Sequence, residues 1–243
     1  MNQASSLAVE PREAISPSFV KKVFYVFAAL ALCSLAISVG GQWLGRSIAL
    51  GGHTKDASLR TIVIGDNTIS APANAIRFDR QRRDGAAERL DLYLRWPLLD
   101  GYSDAARDDF NHARGARNIL FLSFEERTMS RDMSGRLEPI YAAMLARPGT
   151  AGPGGMTLYA FDAKSGYLNE MLAVAPLPDG QAFVARCLVG ESAAESLAPC
   201  ERDIHVGDNL SLSYRFPREL LGEWRTLDQS VRAKAASMLR IGG

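Results

Sequence analysis

The sequence predicts an α+β chain: an N-terminal transmembrane helix, then a mainly antiparallel β domain with a C-terminal amphipathic helix packed on it. Three observations carry this expectation. Val23 to Gly45 is a run of 23 residues without a charge. The middle of the chain is a succession of short alternating apolar and polar runs separated by turn signals, the pattern of antiparallel strands. After Pro217, apolar residues recur at three-to-four-residue steps, the period of a helix with one buried face.

The elements follow in order. Residues 1–18 are polar, with two prolines and no periodicity, and read as a disordered cytoplasmic tail. Residues 19–45 read as the membrane anchor. As a helix, Val23 to Gly45 would be about 34 Å long, enough for a bilayer core of about 30 Å. Phe24, Tyr25 and Phe27 lie near one end and Trp43 at the other, where aromatic rings favour the membrane interface. A cleaved signal peptide, with Ala36-Ile37-Ser38 as its small-residue site, is the alternative. The apolar run continues past that site and 22 residues precede it, which favours the anchor. Lys21 and Lys22 abut the run and favour a cytoplasmic N-terminus. Residues 46–58, with Gly51-Gly52, read as a linker.

Residues 59–243 read as a periplasmic, β-rich domain. LRTIVIGDNTIS is a hairpin around Gly65-Asp66-Asn67. IHVGDNLSLSYRF echoes it around Gly207-Asp208-Asn209, and convergence on good turn chemistry accounts for the likeness. In RLDLYLRW, Leu90, Leu92 and Leu94 share one strand face. Residues 118–125, 157–162, 168–174 and 181–188 are further strands. Asp104 to Arg114 and Gly135 to Arg147 read as surface helices or loops. Leu220, Trp224, Leu227, Val231 and Met238 mark a final helix of about five turns that docks on the sheet, with Pro217 in its first turn.

Bulk composition narrows the function classes. Twenty-eight basic and 27 acidic residues leave a net charge of +1, so nothing draws the chain to nucleic acid. Of the three cysteines, Cys33 lies in the apolar run. Cys187 and Cys200 flank the polar stretch LVGESAAESLAP at the edges of two strands. They are read as a disulfide, against the alternative of two buried thiols. Closing a loop of about 14 residues restricts the unfolded chain by about 3 kcal/mol. A disulfide persists in oxidising compartments, which agrees with an exported domain.

Signatures of chemistry are sparse. The chain has no G-x-S-x-G elbow, no S-x-x-K with its companion motifs and no H-E-x-x-H. GTAGPGG lacks the GK[ST] ending of a phosphate loop. His53, His112 and His205 are not at metal-ligand spacing. No cofactor or metal is expected, and no catalytic residue is assigned. His205 is the first candidate for an acid–base role, because Asp203 shares its strand face two residues away. Glu125-Glu126 and Asp108-Asp109 are adjacent carboxylates, and neighbours on a strand point to opposite faces. The run RFDRQRRDG holds Arg77, Arg80, Arg82 and Arg83. It reads as a solvated hairpin loop or as a contact for an anion or a partner, with Trp96 nearby.

Over IGDNTISAPANAIRF, ERLDLYLRWPLLDGYS and CERDIHVGDNLSLSYRF the chain is similar to uncharacterised membrane-anchored periplasmic proteins of bacteria. The resemblance implies a bacterial inner-membrane location and carries no activity. The expected role is a domain, held at the membrane by residues 23–45, that binds or scaffolds another cell-envelope component, protein or glycan. A membrane-tethered envelope hydrolase is the alternative.

Overall fold

The computed structural model describes residues 18, 21–22, 24–35, 37, 52–115, 117–178 and 180–240. The chain divides into two compact units, residues 1–51 and 52–243. In the first, continuous helical backbone runs over residues 24–35. No helix among the described residues is long and apolar enough to cross a membrane, and the expected transmembrane helix is corrected accordingly. Positions 23, 36 and 38–45 of the expected span lie outside the described residues, as does the tail before Ser18.

The second unit holds two sheets. Leu59–Ile64 (β1) and Asn67–Pro72 (β2) form the expected hairpin. Gly85–Ala86 (β3) adds to β1 in parallel, and Leu239–Arg240 (β12) adds to β2. The order is β12-β2-β1-β3. The larger sheet is antiparallel throughout. Its strands are Arg89–Arg95 (β4), Ile119–Glu126 (β5), Thr150–Ala151 (β6), Thr157–Ala160 (β7), Glu170–Pro176 (β8), Ala182–Leu188 (β9), Cys200–Val206 (β10) and Leu210–Phe216 (β11), in the order β4-β5-β11-β10-β9-β8-β7-β6. Alternation decides which face each residue takes. Leu90, Leu92 and Leu94, then Leu120, Leu122 and Phe124, then Leu210, Leu212, Tyr214 and Phe216 all turn into one core with Ile62, Ile64 and Ile69 of the small sheet.

The C-terminal helix closes that core. Residues Arg218–Glu223 form a 3-10 segment rather than the expected first α-turns, and Trp224–Met238 is α-helical. Leu220, Trp224, Leu227, Val231 and Met238 are all buried in the core. Burying each large side chain contributes about 1.5–3 kcal/mol, so this face anchors the helix. The other α-helices are short: Arg107–Phe110 (α1) and Gly190–Glu195 (α2), leaving Trp224–Met238 as α3. Residues 135–147 hold only a 3-10 turn at Tyr141–Met144. That segment is fixed by packing instead: Met133, Tyr141 and Leu145 form a second small core with Phe161, Leu172 and Val184. It thereby covers the outer face of β7, β8 and β9.

The two GDN turns, alike in sequence, differ in form and meet in space. Ile64 pairs with Asn67 across two turn residues, whereas Val206 pairs with Leu210 across three. Asn67 is buried. Its Nδ2 donates to Asp208 O at 2.6 Å and its Oδ1 accepts from Asp208 N at 2.8 Å. Gly207 has φ +55°, and a Cβ there would collide with Asn67 Oδ1. The turns are thus a joint between the two sheets.

Candidate functional site

The strand register arranges the outer face of β4, β5, β11 and β10 in rows. One row runs Tyr93, Phe121, Arg215, Glu201, and continues to Arg186 of β9. The next runs Asp91, Ser123, Ser213, Asp203. The third runs Arg89, Glu125, Ser211, His205. An antiparallel sheet carries one solvated face without penalty; His53 and Phe110 cover Tyr93 at the β4 end and Arg136 covers Asp203 on β10, and the face between them, over β5 and β11, is the more open part.

At one side of this face stands a cluster of arginines and phenylalanines. The Arg77 guanidinium lies 5.0 Å from the Phe78 ring centre and 4.9 Å from that of Phe121. Arg80 stacks on Phe78 at 5.4 Å and Arg215 on Phe121 at 5.8 Å. Arg77, Phe78, Arg80 and Arg215 are exposed and Phe121 is half-buried. Among the described residues no carboxylate lies within ion-pair distance of Arg77, Arg80, Arg83 or Arg215. Arg89, by contrast, reaches Asp91 at 2.9 Å and Glu125 at 3.5 Å. A shallow hollow of about 120 Å³ lies beside the cluster, lined in part by Arg77, Phe121, Ser123, Ser213 and Arg215.

Local hydrogen bonds hold the arginine loop in place. Arg77 N donates to Asp91 O. The Gln81 amide donates to Arg89 O at 3.1 Å and to Asp91 Oδ2 at 3.0 Å, and accepts from Asp91 N at 3.0 Å. Burial alone would raise the Asp91 pKa. Hydrogen bonds from Ser123, Gln81 and Arg89 outweigh it and hold the carboxylate below its usual range. Arg82 is a strut: its Nε donates to Ile76 O at 3.0 Å and its Nη2 to Gly52 O at 2.8 Å.

Of the candidates read from sequence, the fold therefore brings Arg77 and Arg80 together, turns Arg82 inward and leaves Arg83 exposed nearby in the chain. Trp96 is corrected: at 9% exposure it belongs to the main core, so its indole cannot meet a partner. Phe78, Phe121 and Arg215 escaped the sequence reading. The parity of ILFLSF and LSLSYRF puts Phe121 and Arg215 opposite the core side; their adjacency needed the β5–β11 register.

A second concavity of about 560 Å³ opens where β9 and β10 part. These strands share only the pairs Cys200–Cys187 and Glu201–Arg186. The cleft is lined by Arg131, Asp132, Leu137, Glu138, Gln181 and His205, among others. His205 does line a cleft, but Asp203 pairs with Arg136. Burial raises the Asp203 pKa, partly offset by that guanidinium. No hydrogen bond joins His205 to a carboxylate among the described residues, and among them no three metal-ligating side chains cluster.

The split is sealed from inside by a buried ionic network. Arg202, with no solvent exposure, donates through Nε to Asp228 Oδ1 at 3.0 Å. Its Nη1 donates to Ser134 Oγ at 3.0 Å and to Val184 O at 2.9 Å. Asp228 also accepts from Tyr214 Oη at 2.8 Å and from Arg232 Nε at 2.8 Å. Val184 O faces the gap without a strand partner on that side, and Arg202 supplies its donor. Nearby, Cys187 and Cys200 form the expected disulfide.

Segment 52–58, read as linker, lies against β4. The His53 ring stacks on Tyr102 at 4.6 Å, meets Phe110 edge-on, and its Nδ1 lies 3.0 Å from Tyr93 Oη. Lys55 pairs with Asp104. Burial of His53 lowers its pKa.

No protein-family model matches the chain, and no curated protein matches it. Among solved structures, it is similar to an immunity protein of the Stenotrophomonas maltophilia type IV secretion system, with TM-score 0.52 and 18% identity over 79% of this chain and 98% of that one. It also aligns with the iron-regulated outer membrane lipoprotein FrpD of Neisseria meningitidis at TM-score 0.42 and 10% identity, over 76% of this chain and 95% of that one. The second score is too low to carry an argument. The first shows that the α+β fold with mainly antiparallel sheets is shared.

Proposed function

We propose that residues 52–240 form a binding domain of the bacterial cell envelope, exposed to the oxidising periplasm, that holds another envelope component, protein or glycan, against the open half of its large sheet. The observation that carries this reading is the Arg77–Phe78–Arg80–Phe121–Arg215 cluster, whose cations have no carboxylate within ion-pair distance among the described residues. Exposed arginine and aromatic side chains set side by side are the composition of interface hot spots. The buried disulfide supports the compartment, because such bonds persist where thiols are not kept reduced. A fold shared with an immunity protein is in keeping with a binding role but does not carry it.

The hydrolase alternative has less support. His205 lies in a cleft with Asp132 and Glu138, yet the carboxylate expected to orient it is held by Arg136.

A photo-crosslinking amino acid placed at Phe121 in the full chain, in cells, tests the proposal. The expected result is one discrete adduct that is absent when the same group replaces exposed Leu168 in the turn before β8. Equal, diffuse crosslinking from both positions would refute it.

A further inference from the structure

We infer that the partner of the open sheet face is a protein surface, acidic where it meets Arg77, Arg80 and Arg215 and apolar where it meets Phe78 and Phe121. This rests on the binding role proposed above and adds the chemistry of what is bound. Three features on the face lead to it.

The first is preorganisation. A guanidinium resting against an aromatic ring keeps N–H groups free for a carboxylate. Arg77 lies 5.0 Å and 4.9 Å from the centres of two rings, and Arg215 lies 5.8 Å from one of the same pair. Their orientation is set before the partner arrives, so less side-chain freedom is lost on binding.

The second is the excess of charge. Arg89 and Arg186 on the same face already have carboxylates: Asp91 and Glu125 for the former, Glu170 and Glu201 for the latter. The unpaired positive charge therefore sits on Arg77, Arg80 and Arg215, with Arg83 exposed beside them in the chain. A partner must be negative at that place and not elsewhere.

The third is the sign pattern. Along one row the face reads Phe121, Arg215, Glu201, Arg186 at the strand spacing of about 4.8 Å. A polymer with a charge on every unit, such as polyphosphate or an acidic polysaccharide, would set anions against Glu201, Asp91 and Glu125. A folded protein can alternate sign and present apolar contacts over the same distance. The face therefore favours a protein over a uniformly charged polyanion.

The test compares three immobilised probes with the full chain in non-ionic detergent: a glutamate–tyrosine copolymer, alginate and polyphosphate. The expected order is copolymer tightest, by at least tenfold over both others at 150 mM salt. The double variant Arg77→Gln/Arg215→Gln should lose at least tenfold on the copolymer, and Phe121→Ala should also weaken it. Arg147→Gln, an exposed change outside the cluster, should bind as the parent does. Unchanged melting and an intact disulfide establish that the variants fold. Polyphosphate or alginate binding as tightly as the copolymer would overturn the inference in favour of a general anion patch. So would a double variant that binds the copolymer like the parent. If the Phe121 adduct forms in cells but is insensitive to Arg77→Gln/Arg215→Gln, the face binds by other chemistry: the binding role stands and this inference falls.

Discussion

Removing the carboxylate of Asp228 should cost more than removing the arginine it pairs with. Arg202 is fully buried and Asp228 nearly so, with side-chain exposures of 0% and 5%. In Asp228→Ala, Arg202 keeps Ser134 Oγ and Val184 O but loses the carboxylate that pairs with it among the described residues, and the Tyr214 hydroxyl loses its acceptor. An uncompensated buried charge costs about 3–5 kcal/mol, a large share of the roughly 5–15 kcal/mol that holds a domain together. In Arg202→Met, Asp228 retains Arg232 and Tyr214 as donors. The arginine's Nη2, which has no partner among the described residues, is also removed. The expected loss there is about 1–3 kcal/mol. Urea unfolding at pH 7 with the disulfide intact measures both. At about 2–4 °C per kcal/mol for a domain of this size, Asp228→Ala should melt roughly 6–20 °C lower. The double variant Asp228→Ala/Arg202→Met should be more stable than Asp228→Ala alone, because the stranded charge is gone. If Arg202→Met costs as much as Asp228→Ala, or the two losses simply add, the stranded-charge reasoning fails. The pH dependence has a definite sign. Burial works to raise the Asp228 pKa, and Arg202, Arg232 and Tyr214 outweigh it and hold it below 3.8. The contribution is present above about pH 4 and lost as pH falls through the folded value.

Two further outcomes follow from the joints of the fold. Asn67→Ala removes both part-buried hydrogen bonds to Asp208, so urea unfolding should show a loss of about 1–2 kcal/mol; a change under about 0.5 kcal/mol would mean the turns do not join the sheets. His53 has a folded pKa below 6.5, so the unfolded chain binds more protons near pH 6, and the contribution present above pH 6.5 is lost as pH falls through the folded value. The protection factor over residues 52–58, the intrinsic rate divided by the observed exchange rate at each pH, should therefore fall on acidification in the parent and stay level in His53→Phe; the same fall in both would sink the assignment.

Much of the architecture was legible in local pattern. Period-two alternation set the core side of RLDLYLRW and LSLSYRF, and the recurrence of Leu220, Trp224, Leu227 and Val231 marked the helix that closes the core. The pairing of Cys187 and Cys200 followed from their places at two strand edges. Of the two forms open for residues 135–147, helix or loop, the structure has mostly loop, ordered by side chains packed on β7, β8 and β9 rather than by helical hydrogen bonds. The apolar run after Lys22 misled: no helix among the described residues is long and apolar enough to cross a membrane.

What the sequence determined by itself was parity, turn positions and the location of the disulfide, since each depends on neighbours within a few residues. Only the tertiary structure decided that Arg82 is a strut, that Trp96 is core, that Asn67 joins two distant turns, and that Arg77 and Arg215 share the Phe121 ring. Those outcomes depend on strand order and register, which bring together residues far apart in the chain, and on which half of the sheet another segment covers. Local chemistry makes an arginine available for solvent, a carbonyl or a ring; the surrounding fold selects among them.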